Sequence, residues 1–256
     1  MVTFHSVLGV YGRALSLVDR FTGWSRLPVT FTAVSDIVAS DISSLLGGRP
    51  VAILPPAFEL EHWRAVAVTP EPATFRIVST MRLAKRKRPA ALVDVIARVK
   101  DQLAGARQLR VRIIGDGGER ALVERLIAKR GLAREVTLCG TLSRAQIRDV
   151  YAEADAFVLP SIEESFGIAA LEARAAGLPV VVLANSGATR FIRHEREGLV
   201  AASDADLAAA LIRLACDPDL QQRIASYNRD TPPAFSREEA VRRHQEIYAM
   251  AIARHA

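Results

Sequence analysis

From Phe75 onward, short apolar runs rich in β-branched residues alternate with longer amphipathic stretches, and this alternation most constrains the fold. The runs predict strands at 75–80, 109–115, 136–140, 155–161, 179–184 and 198–201. Strands separated by helices in this order favour a parallel, doubly wound sheet. The continuous apolar character of FVLP and PVVVLA is typical of strands covered on both faces. We therefore predict an α/β fold.

Helix signals occupy the intervals between these strands. Amphipathic patterns predict helices at 90–105 and 119–131, and each ends in glycine. Ser143 and Gln146 have capping-box spacing, so a helix is expected to begin there, and Ser236 and Glu239 repeat the pattern before the last helix. The chain after Asp204 is predicted to be helical.

The first 68 residues form a separate region. VTF (2–4), VTFTAVS (29–35) and VAIL (51–54) are predicted strands, and three strands make a poor sheet alone. The segment 62–75 contains two prolines and is a candidate linker. We therefore predict a partial N-terminal domain at 1–68, a ligand-binding domain at 69–235, and a C-terminal helix at 236–256 that packs back toward the N-terminal lobe.

Composition excludes several classes of protein. The 256 residues carry a net charge of +6, which favours polyanionic ligands. Aromatic residues are 6% of the chain and are not interleaved with the basic residues, which argues against nucleic acid. No apolar run reaches the ~20 residues of a membrane span, and no signal peptide is recognised. The two cysteines predict neither a metal site nor a disulfide, and we expect a cytoplasmic protein.

The stretch PSIEESFGIAALEARAAGLPVVV, residues 160–182, is the most informative part of the chain. It places Glu164 in a loop after a strand, and Glu172 eight positions later on the following helix. Gly167 allows a ligand to approach the backbone, and the helix start suits a pyrophosphate. Glu172 is then placed to accept hydrogen bonds from ribose hydroxyls, and Glu164 is placed to accept them from the hydroxyls of a sugar. The alternative is two solvated glutamates.

A basic segment, residues 82–88, follows the first strand of the predicted ligand-binding domain. Fixed cations at the carboxyl end of a strand would stabilise the negative charge of a leaving phosphate. Alone, such a run is more often a solvated face or a nucleic-acid patch. Its position favours Arg82 and Lys87 as phosphate ligands, with Lys85, Arg86 and Arg88 as bystanders.

The Glu-x7-Glu pair followed by Ala-x-Ala-x-Gly-x-Pro-Val resembles the signature of the retaining glycosyltransferase family four, whose fold is the two-Rossmann-domain GT-B type. The segment after the first strand is similar to the family's Arg-Leu-x3-Lys pattern. The resemblance implies a GT-B α/β fold with a doubly wound, Rossmann-like donor domain and a partial N-terminal Rossmann-like domain. It implies that Arg82 and Lys87 neutralise the donor diphosphate, that Glu164 orients the sugar, and that Phe166, Gly167, Ile168 and Glu172 bind the donor.

Three further segments resemble the same family. Gly115 and Gly117 match a glycine motif that lines the nucleotide cleft, although a tight turn explains them equally well. Leu142 follows Gly140 in a stretch that touches the base through its backbone. His5 ends a predicted strand, where similar enzymes place a histidine facing the donor sugar. A lone histidine beside apolar residues is also often a core or surface residue.

The sequence departs from the family in two places. The linker lacks the usual asparagine and glycine at 56–59, and Arg190 stands where a glutamate is common. Compared with the family pattern, an N-domain that begins at VTFHS is expected to lack the first strands. The expected function is transfer of a sugar, with retention, from a UDP- or GDP-sugar to an unknown glycan, lipid or small molecule. No metal or other cofactor is expected, and peripheral contact with the inner membrane face is compatible with the charge. The alternatives are a nucleotide-sugar-binding fragment that needs a separate acceptor lobe, and a nucleotide-sugar epimerase.

Overall fold

The computed structural model describes residues 1–6, 8, 11–27, 29–64 and 71–253. The chain divides into two compact units. Unit 1 comprises Met1–Glu59, Glu164–Phe166 and Ala234–Ala256, and unit 2 comprises Leu60–Glu163 and Gly167–Pro233. The predicted domain boundary at 68/69 lies outside the described residues and stays a prediction.

Unit 1 is built on a small parallel sheet. Its first elements are β1 (Val2–Phe4), α1 (Tyr11–Thr22), β2 (Phe31–Ala33), α2 (Asp36–Leu45) and β3 (Val51–Ile53). The strands lie in the order β1-β2-β3, as three parallel neighbours. β2 is shorter than predicted because Ser35 leaves the strand to cap α2, where its hydroxyl accepts from the Val38 amide. Phe31, Val38 and Ile42 form the buried core between sheet and helix.

Unit 2 contains the predicted doubly wound sheet. Its elements are α3 (Leu60–Trp63), β4 (Thr74–Thr80), α4 (Pro89–Leu103), β5 (Gln108–Ile114), α5 (Arg120–Lys129), β6 (Val136–Gly140), α6 (Arg144–Ala152), β7 (Ala156–Leu159), α7 (Ile168–Ala175), β8 (Val180–Leu183), β9 (Gly198–Ala201), α8 (Asp204–Cys216) and α9 (Pro218–Asp230). All six strands are parallel, in the order β6-β5-β4-β7-β8-β9. Successive strands are therefore added on one side of β4 up to β6 and on the other side from β7 onward, so the gap between β4 and β7 is the switch point at which open sheets bind ligands.

Burial follows the strand predictions. Every residue of β7 and β8 is buried, as the continuous apolar runs indicated. β5 instead alternates, with Gln108, Arg110 and Arg112 exposed on one face. The hydrophobic core of the unit lies on the other face of β5, where its apolar side chains pack with those of α4.

Helix capping agrees with the sequence at Ser143 and only in part at Ser236. At Ser143 both halves of the capping box form with Gln146. The Ser236 hydroxyl accepts from the Glu239 amide at 3.1 Å, but the Glu239 carboxylate pairs with Arg242. The last helix, α10 (Arg237–Ala253), belongs to unit 1.

A buried ionic cluster connects α7 with the residues that precede β9. Glu197 is fully buried and accepts from the Arg193 backbone amide at 2.9 Å and from the Arg193 guanidinium. Arg174, also buried, lies 3.8 Å from the same carboxylate and donates to the Phe191 carbonyl. Burial acts to raise the pKa of Glu197, but the hydrogen bonds from Arg193 and the charge of Arg174 outweigh it, so the pKa is lowered. This cluster fixes α7 to the segment at 191–197.

Replacement of Glu197 by glutamine should destabilise unit 2 by about 3 kcal/mol at pH 7, because a buried arginine is left without its counter-charge. A lowered carboxyl pKa contributes stability above the unfolded value of 4.5 that is lost as pH falls through the folded value. The difference between wild type and variant should therefore shrink in acid, as measured by urea unfolding from pH 7 to pH 3. Glu195→Gln, which changes an exposed ion pair with Arg213, is the control and should unfold like wild type. Equal stability of Glu197→Gln and wild type would contradict the prediction.

Candidate functional site at the carboxyl edge of the unit 2 sheet

The carboxyl ends of the six parallel strands meet at one edge of the unit 2 sheet. Most of the predicted site residues follow these ends. Arg82 and Lys87 come after β4, Gly115 and Gly117 after β5, Leu142 after β6, and Gly167, Ile168 and Glu172 after β7. His5, Glu164 and Phe166 belong to unit 1. The assignment of all these residues to a ligand stays a prediction.

Arg82 is presented by a buried backbone. Its neighbours Met81 and Leu83 are both buried, and the Leu83 side chain is inaccessible to solvent. Arg82 itself is exposed and makes no side-chain hydrogen bond or ion pair with a described residue. A cation fixed at its base and unpaired at its end is suited to bind an anion.

The loop after β5 approaches this segment very closely. The Leu83 amide donates to the Asp116 carbonyl at 2.9 Å, and the Glu119 amide donates to the Leu83 carbonyl at 2.9 Å. A Cβ atom on Gly115 would lie 2.0 Å from the Met81 carbonyl oxygen, and one on Gly117 2.5 Å from that of Leu83. Both glycines also have positive φ, of 124° and 154°. These glycines are therefore required by the packing of two backbones, which is a structural reason for the motif.

Arg88 joins the two loops that diverge at the switch point. Its guanidinium donates to the Pro160 carbonyl at 2.9 Å and to both carboxylate oxygens of Asp204, at 2.9 and 2.7 Å. Ser161 adds a longer bond to the Lys87 carbonyl, at 3.4 Å. Arg88 was expected to be a bystander; instead it fixes the loop after β4 to the loop after β7. The helix-initiating Pro89 beside it was the only local signal.

The start of α7 faces a second loop. Gly167 is the N-cap residue, with φ of 89°, and a Cβ atom there would lie 2.9 Å from the Ala188 side chain. Ala188 belongs to the short turn at 187–190 that follows β8. Ile168, the first residue of α7, is 38% exposed. Arg190, the departure from the family pattern, lies at the end of this turn and is exposed.

Glu172 lies half-buried in the second turn of α7. Its carboxylate makes no hydrogen bond or ion pair with any residue that the structure describes, although its backbone carbonyl accepts a hydrogen bond from the Ala176 amide at 3.0 Å. Burial raises its carboxyl pKa to about 7, against the opposing charge of Arg144. A desolvated carboxylate without a donor is costly in the free protein and favours a ligand that brings hydroxyl donors.

The base of the loop after β6 is fixed by backbone bonds. The Gly115 amide donates to the Gly140 carbonyl at 2.8 Å, and the β5–β6 register shifts by one residue at this point. Leu142 is half-buried two residues later, directly before the capping box of Ser143. The backbone at Leu142 is thus held between a strand end and a helix start.

The site residues of unit 1 have varied environments. His5 is exposed, directly after β1. Glu164 is half-buried. Phe166 is buried and meets the ring of Phe235 edge to face, with centroids 5.2 Å apart. Packing thus gives Phe166 a structural role beside the predicted one.

Sequence reasoning missed Trp63 and Arg144. Trp63 falls in the segment predicted as a linker, but it is fully buried in unit 2 and stacks on Tyr151, with ring centroids 5.9 Å apart. The Arg144 guanidinium lies over the Trp63 ring, 5.5 Å from its centroid. A tryptophan with polar immediate neighbours, His62 and Arg64, was the available signal. The contact partners are far away in sequence, so the pattern alone did not show them.

A parallel sheet with its loops gathered at a switch point defines the class as a Rossmann-like, doubly wound α/β domain. The sequence profile of the family described as glycosyl transferases group 1 matches residues 64–231. The chain therefore belongs to that family. A D-inositol 3-phosphate glycosyltransferase of Pseudarthrobacter chlorophenolicus is 31% identical over 214 residues, which cover 81% of this chain and 50% of that protein.

Solved structures agree on the GT-B fold. The Anabaena Alr3699/HepE protein, in complex with UDP and glucose, has a TM-score of 0.78 at 20% identity, covering 97% of this chain and 70% of that one. Sucrose-phosphate synthase from Thermosynechococcus elongatus has a TM-score of 0.79 at 21% identity, covering 98% of this chain and 67% of that one. The chain spans about half the length of the curated relatives it matches.

None of the helices in the described ranges combines the length and apolar character needed to cross a bilayer. In the same part of the chain, histidine, cysteine and acidic side chains do not gather in threes to form a metal-binding group. The expectation of a reaction without a metal stays a prediction.

Gly117→Ala should destabilise unit 2 by about 2–4 kcal/mol, because its Cβ would collide with a carbonyl oxygen in a backbone conformation unfavourable to alanine. The adjacent Gly118 has open space around its Cβ position, so Gly118→Ala is the matched control and should unfold like wild type. Thermal and urea unfolding of both variants measure the difference. If the two variants lose equal stability, close backbone approach is not the reason for Gly117.

Proposed function

We propose that this chain provides the donor-binding part of a glycosyltransferase that moves a sugar from a nucleotide-diphosphate sugar to an acceptor with retention of configuration. The main support is the pair of unpartnered charged groups at the carboxyl edge of unit 2. Arg82 is an exposed cation on a buried backbone, and Glu172 is a half-buried carboxylate without a donor. A nucleoside diphosphate brings the complementary groups, which are phosphate oxygens and ribose hydroxyls.

In this proposal Arg82 and Lys87 bind the diphosphate, together with the amides at the start of α7. Cleavage of the bond between sugar and diphosphate leaves negative charge on the leaving phosphate. Fixed cations and helix-terminal amides stabilise that charge in the transition state. We expect this arrangement to work without a metal or other cofactor. Gly115, Gly117 and Leu142 would line the cleft through their backbones.

Glu172 in its ionised form would accept two hydrogen bonds from the ribose of the donor. Two of the relatives support a nucleotide-sugar donor. A mannosyltransferase of Mycobacterium tuberculosis, 28% identical over 212 residues, is named as GDP-mannose-dependent, and the Anabaena protein was solved with UDP and glucose. The proposal therefore covers UDP- and GDP-sugars, and the base is an outcome of the test below.

Retention of configuration rests on the family resemblance, which also assigns Glu164 and His5 to the donor sugar. The acceptor is proposed to be a glycan, a lipid or a small molecule. The names of the relatives do not share one acceptor, since they include an inositol phosphate and a phosphatidylinositol monomannoside.

The second candidate function is a nucleotide-sugar-binding module that depends on a separate acceptor lobe for transfer. The two candidate functions share the donor site, but only the first predicts that this chain alone transfers the sugar to an acceptor. Release of nucleoside diphosphate in the presence of candidate acceptors distinguishes them, and proton NMR of the product's anomeric centre tests retention.

Titration calorimetry with UDP, GDP and their sugars should detect binding that Arg82→Ala weakens by about tenfold or more, since a charge-assisted bond contributes about 1.5–3 kcal/mol. Arg86→Ala removes an exposed arginine from the same segment and is the control; it should bind like wild type. Equal losses in the two variants would indicate a general charge effect. No binding by folded wild-type protein would overturn the donor-site proposal.

Peripheral contact with an anionic membrane face, from a cytoplasmic location, is proposed from the net charge of +6. Co-sedimentation with vesicles containing anionic lipid should exceed that with neutral vesicles, and should fall as salt is added. Equal sedimentation with both kinds of vesicle would contradict an electrostatic contact.

A further inference from the structure

A stack of aromatic rings supports the loop after β6. Trp63 and Tyr151 are fully buried, and their rings are tilted by 35° at 5.9 Å. Tyr151 is anchored to the end of β4, because its hydroxyl donates to the Thr80 hydroxyl at 2.9 Å. The His62 ring meets the Trp63 ring edge to face, with centroids 5.1 Å apart. The ring of Trp63 is therefore fixed to the sheet.

Arg144 is held against this fixed ring. It is the first residue of α6, and its guanidinium carbon lies 5.5 Å from the Trp63 centroid. A guanidinium over the face of tryptophan is attracted by the ring electrons and loses part of its conformational freedom. The positive charge of Arg144 thus has a defined place, although the residue itself is exposed.

The charge of Arg144 acts on Glu172. Burial raises the Glu172 pKa to about 7, and Arg144 is the described charged group that opposes this rise. The elements packed against α7 carry other titratable or charged groups, which are Glu61 and His62 on α3, Asp219, Arg223, Tyr227, Arg229 and Asp230 on α9, and Arg190 in the turn after β8. Tyr151 is also close, and because burial and the Glu172 charge raise its pKa, it is neutral.

We propose that Arg144, fixed over the ring of Trp63, is a positioning residue for the donor nucleotide, whose guanidinium keeps the Glu172 carboxylate in the charged form that accepts two hydrogen bonds. This inference rests on the proposed function for the identity of the ligand. The effect of Arg144 on Glu172 is a property of the free protein and is tested separately.

The direction of the pH effect follows from the charge of Glu172. Below its pKa the group is a neutral acid with reduced capacity to accept, and above it both oxygens accept. Nucleotide affinity should therefore fall as the pH drops through about 7. Removal of Arg144 leaves burial unopposed, so the midpoint should move to higher pH.

The experiment is calorimetric titration of the whole chain with UDP and with GDP from pH 5.5 to 8.5. At pH 7, Arg144→Gln should lower affinity by about two- to fivefold, the effect of a midpoint shift of about half to one pH unit upward from 7. The loss should shrink at pH 8.5, where both proteins carry ionised Glu172. Arg144→Lys should restore most of the affinity, and Glu172→Gln should bind weakly without a midpoint in this range.

Arg148→Gln is the matched control, because it removes an arginine one turn later on α6 that pairs with Asp149. It should keep the wild-type profile. An unchanged midpoint in Arg144→Gln overturns the proposal. So does an equal loss of affinity at every pH, which would indicate direct contact with the nucleotide or a merely structural role.

Carbon-13 NMR of protein labelled at the glutamate carboxyl carbons separates this inference from the donor-site proposal. The Glu172 signal, assigned by its absence from Glu172→Gln, is titrated without nucleotide in wild type and Arg144→Gln. A higher midpoint in the variant is expected, and an identical midpoint overturns the role of Arg144. If neither nucleotide binds wild type at any pH, the donor proposal fails and the nucleotide-positioning role of Arg144 fails with it, whereas the titration still decides whether Arg144 sets the charge of Glu172.

Discussion

The hydrogen bonds of Arg88 to the Pro160 carbonyl and to Asp204 are the constraint on which the site of unit 2 depends. The chain leaves β4 and β7 in opposite directions, so the loops there would separate without a bridge. Arg88 makes this bridge from a left-handed backbone conformation, with φ of 56°, which costs about 1 kcal/mol or more and persists only where surrounding contacts stabilise it. Pro89, which begins α4 and disfavours the right-handed helical conformation at Arg88, contributes to that choice.

Scaffold and chemistry are separate in this site. The contacts within the protein made by Arg88, Gly115 and Gly117 hold the loops after β4, β5 and β7 in place. Arg82 lies within the same network but its side chain is left without a partner among the described residues. Backbone-to-backbone hydrogen bonds fix the origin of that side chain without using its charge. In the proposed donor site, a ligand phosphate would meet a cation whose position has already been determined by folding.

The local sequence pattern was sufficient to predict much of the secondary structure of unit 2. It was insufficient where contacts between residues distant in sequence determine the structure. The predicted strands at 136–140 and 198–201 agree with β6 and β9, because period and β-branched content are local properties. Trp63 was assigned to a linker because its partners, Tyr151 and Arg144, lie more than eighty positions away in the sequence. The family resemblance named Arg82 and Glu172 as candidates. It did not show that both lack partners in the free protein, which only the fold reveals.

Two glutamates associated with α7 show how structure distinguishes a scaffold carboxylate from a candidate binding carboxylate. Glu197 is fully buried, receives hydrogen bonds from Arg193 and lies beside Arg174, and these contacts lower its pKa despite burial. Glu172 is half-buried without a donor, and burial raises its pKa. The first arrangement stabilises the fold, whereas the second leaves a desolvated group unsatisfied. Folding leaves that cost in place at the carboxyl edge of the sheet, and in the proposed function a ligand with hydroxyl donors relieves it. The charge of Arg144 lowers the cost without a hydrogen bond to Glu172, so both carboxylate oxygens remain available in the free protein.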